Sequence, residues 1–177
     1  DPLFVYEDWG VNKASAMEYS GGNMFDAGTR GFSPGETAYN SLAANDTMAY
    51  LAFRDAANTY KATVMTYDGS SWETFGSAGI SPDVANYTSI ALDDLTPYLA
   101  YVDGFYSNEA TVRKHNGLGW EYVGAGGFTP GDVDQTRLAM DGYTPYLAFL
   151  DVDNSNAVTV MKYVPKTYKL FLPLIVR

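Results

Sequence analysis

Residues 97–144 read PYLAYVDGFYSNEATVRKHNGLGWEYVGAGGFTPGDVDQTRLAMDGYT. The stretch recurs along the chain. With a shift of 48 residues, Gly28, Gly76 and Gly124 coincide, as do Gly31, Gly79 and Gly127, and Pro34, Pro82 and Pro130. Leu42, Ile90 and Leu138 share a column, each followed by alanine, and Asp55, Asp103 and Asp151 share another. Tyr19, Tyr67, His115 and Tyr163 align; so do Trp72 and Trp120, with Met24 and Tyr168 in the same column. Turn residues and core residues held in one register are the mark of stacked or radial supersecondary units.

Each unit predicts four short strands, which in the second full copy are TSIALDD, PYLAYVD, ATVRKH and WEYVG. They are rich in β-branched and aromatic residues, and Gly, Pro, Asp and Asn separate them. Short joins such as Asn116-Gly-Leu-Gly119 suit hairpins. The longer stretch from Gly124 to Val133 suits a crossing from the outer strand of one sheet to the inner strand of the next. Apolar residues occupy both faces of the inner strands, as a sheet buried on both sides requires. Blades packed face to face around an axis supply that burial.

The P-Y-L-A-[YF]-x-D strand, the A-T-V-M-x-Y strand, the G-x-x-W-E-x-x-G hairpin and the G-[FI]-[ST]-P crossover resemble a blade of the bacterial β-propellers with near-identical repeats, on a kelch-like or tachylectin-like plan. The resemblance covers about nine-tenths of the chain. It implies an all-β propeller of four-stranded antiparallel blades, about four of them, and leaves the ligand open, because propellers host many functions. The expected units are 1–38, 39–86, 87–134 and 135–177. The first begins with the second strand of a blade, from Leu3 to Glu7, and lacks an inner strand. The ending VPKTYKLFLPLIVR leaves the repeat, and its L-P-L-[IV] motif resembles the terminal tails of exported proteins of filamentous green non-sulfur bacteria. Tyr168 stands in the tryptophan column, so residues 168–172 are expected to replace the fourth strand. The total is about fifteen strands.

Eleven basic residues against 21 acidic ones give a net charge of −10. Such a surface repels nucleic-acid phosphates and anionic lipids, so nucleic acid is not an expected partner. No apolar run reaches the length of a membrane span. The absence of cysteine removes disulfides, thiol catalysis and zinc–thiolate sites. A start at Asp1 without methionine suggests a processed or truncated chain, and low lysine, abundant Tyr, Gly, Ser, Thr and Asn, and the repeats together suggest a protein outside the cell or on its surface.

An incomplete ring exposes sheet edges and faces, and such edges recruit strands from other chains. Leu3, Phe4, Val5 and Tyr6 at one end, and Tyr168, Leu170, Phe171, Leu172, Leu174 and Ile175 at the other, are therefore the expected assembly residues. Copies of this same chain are the expected partner, in an oligomer or a fibre. The tail docks equally well in its own ring or in a neighbour.

Chemistry-bearing residues are few. Asp151-Val-Asp153-Asn-Ser155 alternates oxygen ligands as calcium loops do, though Asx turns use the same residues. No other cofactor is expected. His115 is the only histidine and sits in the tyrosine column, so histidine-based triads are not expected. Trp72 and Trp120 are candidate sugar platforms, with core filling the favoured reading. Tyr39 and Tyr87 precede an inner strand and are placed to line a channel mouth, with Gln135 replacing them in the last unit. Asn45 and Asn86 begin N-glycosylation sequons. Carboxylates are many, and none stands out from the repeat as a catalytic pair. The resulting expectation is a non-enzymatic, self-assembling structural protein; the alternative is a lectin-like module that binds glycans.

Overall fold

The computed structural model describes residues 1–164. Strand accounts for 57% of the described residues and helix for 5%. Among these residues helix occurs only as 3-10 turns at Ala56–Asn58, Gly104–Tyr106 and Val152–Asn154. Strands β1 (Leu3–Asp8), β2 (Lys13–Ser20) and β3 (Asn23–Asp26) form the first sheet. The second holds β4 (Thr37–Ala44), β5 (Ala49–Asp55), β6 (Lys61–Tyr67) and β7 (Trp72–Thr74). The third holds β8 (Ala85–Asp93), β9 (Thr96–Asp103), β10 (Glu109–His115) and β11 (Trp120–Tyr122). The last contains β12 (Val133–Asp141), β13 (Thr144–Asp151) and β14 (Ala157–Lys162). Each is an antiparallel meander in chain order, and β4, β8 and β12 lie side by side. The fold is an all-β propeller array of four blades, the first lacking its inner strand. The fifteenth strand expected near Tyr168 lies outside the described residues.

Three apolar joints hold the blades together. In the first, Leu51, Phe53, Met65, Tyr67 and Trp72 pack on Ala14 and Ala16, with Leu3 and Val5 at the margin. In the second, Tyr50, Ala52, Ala62 and Val64 meet Ile90, Leu99 and Tyr101. In the third, Tyr98, Ala100, Val102 and Val112 meet Leu147 and Phe149. Every residue of β5 except Arg54 is buried, because both of its faces are covered. Burying each large apolar side chain contributes roughly 1.5–3 kcal/mol, so the joints are where the array gains its stability.

Polar side chains repeat with the blades. The hydroxyls of Ser33, Ser81 and Thr129 accept from the backbone N–H of Ala14, Ala62 and Ala110 at 2.9, 3.0 and 2.9 Å. The same hydroxyls donate to the carbonyls of Gly35, Asp83 and Gly131. Gly31, Gly79 and Gly127 sit at φ 67°, 67° and 58°, where the crossover turns. Their N–H groups donate to Ser15, Thr63 and Thr111. The G-[FI]-[ST]-P crossover is therefore fastened to the sheet it leaves, and each next blade starts from a fixed position.

The inner strands begin earlier than the sequence pattern suggests: in the second full copy at Ala85, not Thr88. A bulge in each one separates Ala38 from Ser41, Asn86 from Ser89 and Asp134 from Arg137. The extra residue takes left-handed backbone, at φ 56° for Tyr39, 51° for Tyr87 and 50° for Gln135. This is uncommon for bulky side chains, and residue type alone does not announce it.

Candidate functional site

The two end sheets carry the first candidate site. Phe4, Tyr6, Met17 and Tyr19 in the first sheet occupy the columns of Leu51, Phe53, Met65 and Tyr67 in the second. The latter four are buried against a preceding blade, whereas Phe4 is 52% exposed and Tyr19 44%. At the other end, Val158 and Val160 occupy the columns of Ala110 and Val112, which are buried in the third joint. Val158 is 75% exposed and Val160 61%. The two ends thus present the two halves of a blade-to-blade joint. Strand alternation corrects the sequence expectation: Leu3 and Val5 point into the first joint, and only Phe4 and Tyr6 of that run face outward. Residues 168, 170–172, 174 and 175, expected to take part in assembly, lie outside the described residues. Sequence reading missed Val158 and Val160: the repeat shows the alternation of their strand, but not that no described sheet stands beside it.

The second candidate is a cleft of about 160 Å³ on the inner strands, lined by Tyr39, Asn40, Ser41, Tyr87, Thr88 and Arg137. The bulges bring the Tyr39 and Tyr87 rings to 4.4 Å, tilted by 42°. Arg54 lies over Tyr39 at 4.8 Å and over Tyr60 at 5.5 Å, and its Nη1 donates to Asn86 Oδ1 at 2.8 Å. Asp134 accepts from the Tyr87 hydroxyl and, with burial adding to it, raises that phenol above its usual range. The Thr88 hydroxyl donates to the Tyr39 carbonyl, and Thr136 repeats this bond to Tyr87 one blade later. Asn40 stands in the same column, and its buried Oδ1 has no partner among the described residues. Arg54, Asn40 and Arg137 were not singled out in the sequence; only the folded strands bring them to the tyrosines.

The remaining candidates prove to be parts of turns and cores. Asp55 accepts from Ala57 N at 3.0 Å and from the Thr63 hydroxyl at 2.9 Å; Asp103 accepts from Phe105 N and Thr111 in the same way. Burial raises the Asp103 carboxyl above its ordinary value. Asp8 sits in this column and pairs with Arg30, which lowers its pKa to about 2. Asp151 begins the turn Val152–Asn154 without a side-chain cap, Asp153 lies in its first turn and Ser155 takes left-handed backbone after it. Among the described residues, no three acidic or histidine side chains are grouped to hold a metal. Trp72 is 8% exposed, stacked on Phe32 at 4.5 Å and on Tyr67 at 5.2 Å, so it offers no face to a sugar. Trp120 is half-buried at the second joint, edge-on to Phe75 and His115. Asn45 closes a turn, accepting from Thr47 and Met48, while Asn86 accepts from Arg54. Among the described residues no helix is long and apolar enough to cross a membrane.

The architecture is thus that of a propeller with unmatched ends and a polar, aromatic cleft on its inner strands. No protein-family model matches the sequence, and no curated protein sequence matches it. Among solved structures, the chain is similar to an exo-β-1,3-galactanase from Phanerochaete chrysosporium bound to β-1,3-galactotriose, at 16% identity and a TM-score of 0.46. That match covers 71% of this chain and 38% of the galactanase. A thermostable family-43 glycoside hydrolase matches at 14% identity and a TM-score of 0.45, over 64% of this chain and 41% of the hydrolase. The chain therefore spans about two-fifths of the length of these structures. The expectation of a non-enzymatic chain is corrected here: both similar structures are glycoside hydrolases. At such identities the likeness assigns no reaction to this chain.

Proposed function

We propose that this chain is a propeller segment of an exported protein that assembles head to tail with copies of itself through its two end sheets. The observation that supports it most is the exposure of Val158 and Val160 at one end and Phe4 and Tyr19 at the other, in columns that are buried wherever two blades meet. A second copy placed against the last sheet extends the array by a joint of the kind the chain already makes. A joint that passes from unlike face to unlike face is heterologous, so it closes a ring or runs on as a fibre. Sedimentation velocity over a concentration series tests this. The wild-type mass is expected to rise with concentration, and the V158E/V160E double variant to stay monomeric with the melting temperature of the dilute wild-type chain. A wild-type chain that remains monomeric throughout, or a double variant that assembles normally, sinks the reading.

The inner-strand cleft supports a second reading, glycan binding. Its tyrosine rings, two nearby arginines and unpartnered Asn40 Oδ1 are the group types that stack on sugar rings and bond their hydroxyls. A glycan array probed with wild type and Tyr87→Ala tests it. Hits that vanish in the variant support the reading, and an array without hits removes it.

A further inference from the structure

Between the third and last sheets lies an apolar cleft of about 190 Å³, whose lining includes Val123, Gly124, Phe128, Leu147, Met161 and Tyr163. The first joint has the same walls, and there the space is filled. Trp72 stacks on Phe32 and Tyr67, reaches within 3.0 Å of where a side chain on Gly28 would start, and donates from Nε1 to the Ala27 carbonyl at 2.9 Å. Two repeats on, Ala27, Gly28, Phe32 and Tyr67 become Val123, Gly124, Phe128 and Tyr163, and all four line the cleft. In the second joint the place belongs to Trp120, beside Gly76 and His115.

Among the described residues, no ring covers Tyr163 in the third joint. Tyr67, roofed by Trp72, is 9% exposed, whereas Tyr163 is 38% exposed and leans to within 3.2 Å of the Cβ position of Gly124. Apolar cavities of about 150 Å³ exclude water and accept a benzene ring, so the chemistry suits an aromatic group.

We propose that this cleft is a socket for one aromatic side chain, and that its occupant is Tyr168. The argument from chain length is direct: Tyr168 follows Tyr163 at the interval by which Trp72 follows Tyr67 and Trp120 follows His115. The connecting turn has different chemistry. Asp68 and Asn116 close their turns by accepting backbone N–H bonds, with Gly69 and Gly117 at φ 94° and 91°. Val164-Pro165 offers neither the acceptor nor the left-handed glycine, but proline is favoured at the second position of a type I turn, which also reverses the chain. A phenol suits a partly open slot, since its ring is apolar and its tip polar.

The test combines melting temperature, indole as probe and tyrosine acetylation read by mass spectrometry. Tyr168→Ala is expected to melt lower than wild type and to be stabilised saturably by indole, with no such stabilisation of wild type. Tyr168→Trp is expected to melt at or above wild type, and Lys169→Ala to match it. If Tyr168→Ala does not fold, protection of Tyr168 from N-acetylimidazole in the wild-type chain carries the test. Rapid acetylation of Tyr168, an unchanged melting temperature in Tyr168→Ala, or equal indole stabilisation of wild type and variant overturns the proposal. The last result would mean that the socket stands open to a ring from elsewhere.

Discussion

Trp72 closes the first joint through two ring faces and one hydrogen bond, all inside the core. Truncating a buried tryptophan to alanine costs about 3–5 kcal/mol, so Trp72→Ala is expected to lose that much in urea unfolding. Trp120→Ala is expected to lose less, because Trp120 is half-buried and its Nε1 bonds nothing among the described residues. Asp8 gives a pH-dependent counterpart. Arg30 holds its carboxyl at about 2, below the ordinary 3.8. The stability this contributes is complete above pH 3.8 and is lost as pH falls through 2. In Arg30→Ala the Asp8 value is expected to rise toward the ordinary one, as a carboxyl NMR titration would report. The melting-temperature deficit of that variant is expected at neutral pH and should fade on acidification toward pH 2.

Among elements, the bulged inner strands carry a local cost that sequence pattern hides. Left-handed backbone costs an L-residue about 1–2 kcal/mol, and glycine escapes it at an entropic cost of about 0.5–1 kcal/mol. Gln135 is exposed and its side chain packs on no core, so Gln135→Gly is expected to stabilise the chain by about 0.5–1 kcal/mol in urea unfolding. Tyr39→Gly is expected to show no such gain. It also removes the contact with Tyr87, and aromatic pairs contribute about 0.5–1.5 kcal/mol. A gain in both variants would mean that the tyrosine pair contributes nothing to the strand, and the cleft would lose its structural basis.

For the whole molecule, charge and exposed apolar faces oppose each other. A net charge of −10 makes copies repel, and salt screens that repulsion over about 10 Å at 0.1 M. If end-to-end joints form, raising ionic strength is expected to shift the sedimentation distribution toward larger species. The melting temperature is also expected to climb with protein concentration, because association stabilises only the folded chain. A distribution unaffected by salt and a melting temperature independent of concentration would argue against assembly.

The repeat made the blades legible because each column answers to a local demand: glycine where the crossover needs positive φ, Ser or Thr where a hydroxyl clasps it, aspartate before the 3-10 turn, β-branched and aromatic residues where both faces are covered. Those demands act within a few residues or between adjacent strands, so the sequence alone determined the units, their order and the incomplete first blade. Which members of a repeated column face a neighbour and which face water was decided only by tertiary structure. Val112 and Val160 share a column, yet one is buried and the other is not, because the difference lies in whether another sheet stands beside them. The grouping of Arg54, Asn40 and the tyrosines likewise arises from three chain segments meeting across two blades, a proximity that no spacing along the chain encodes.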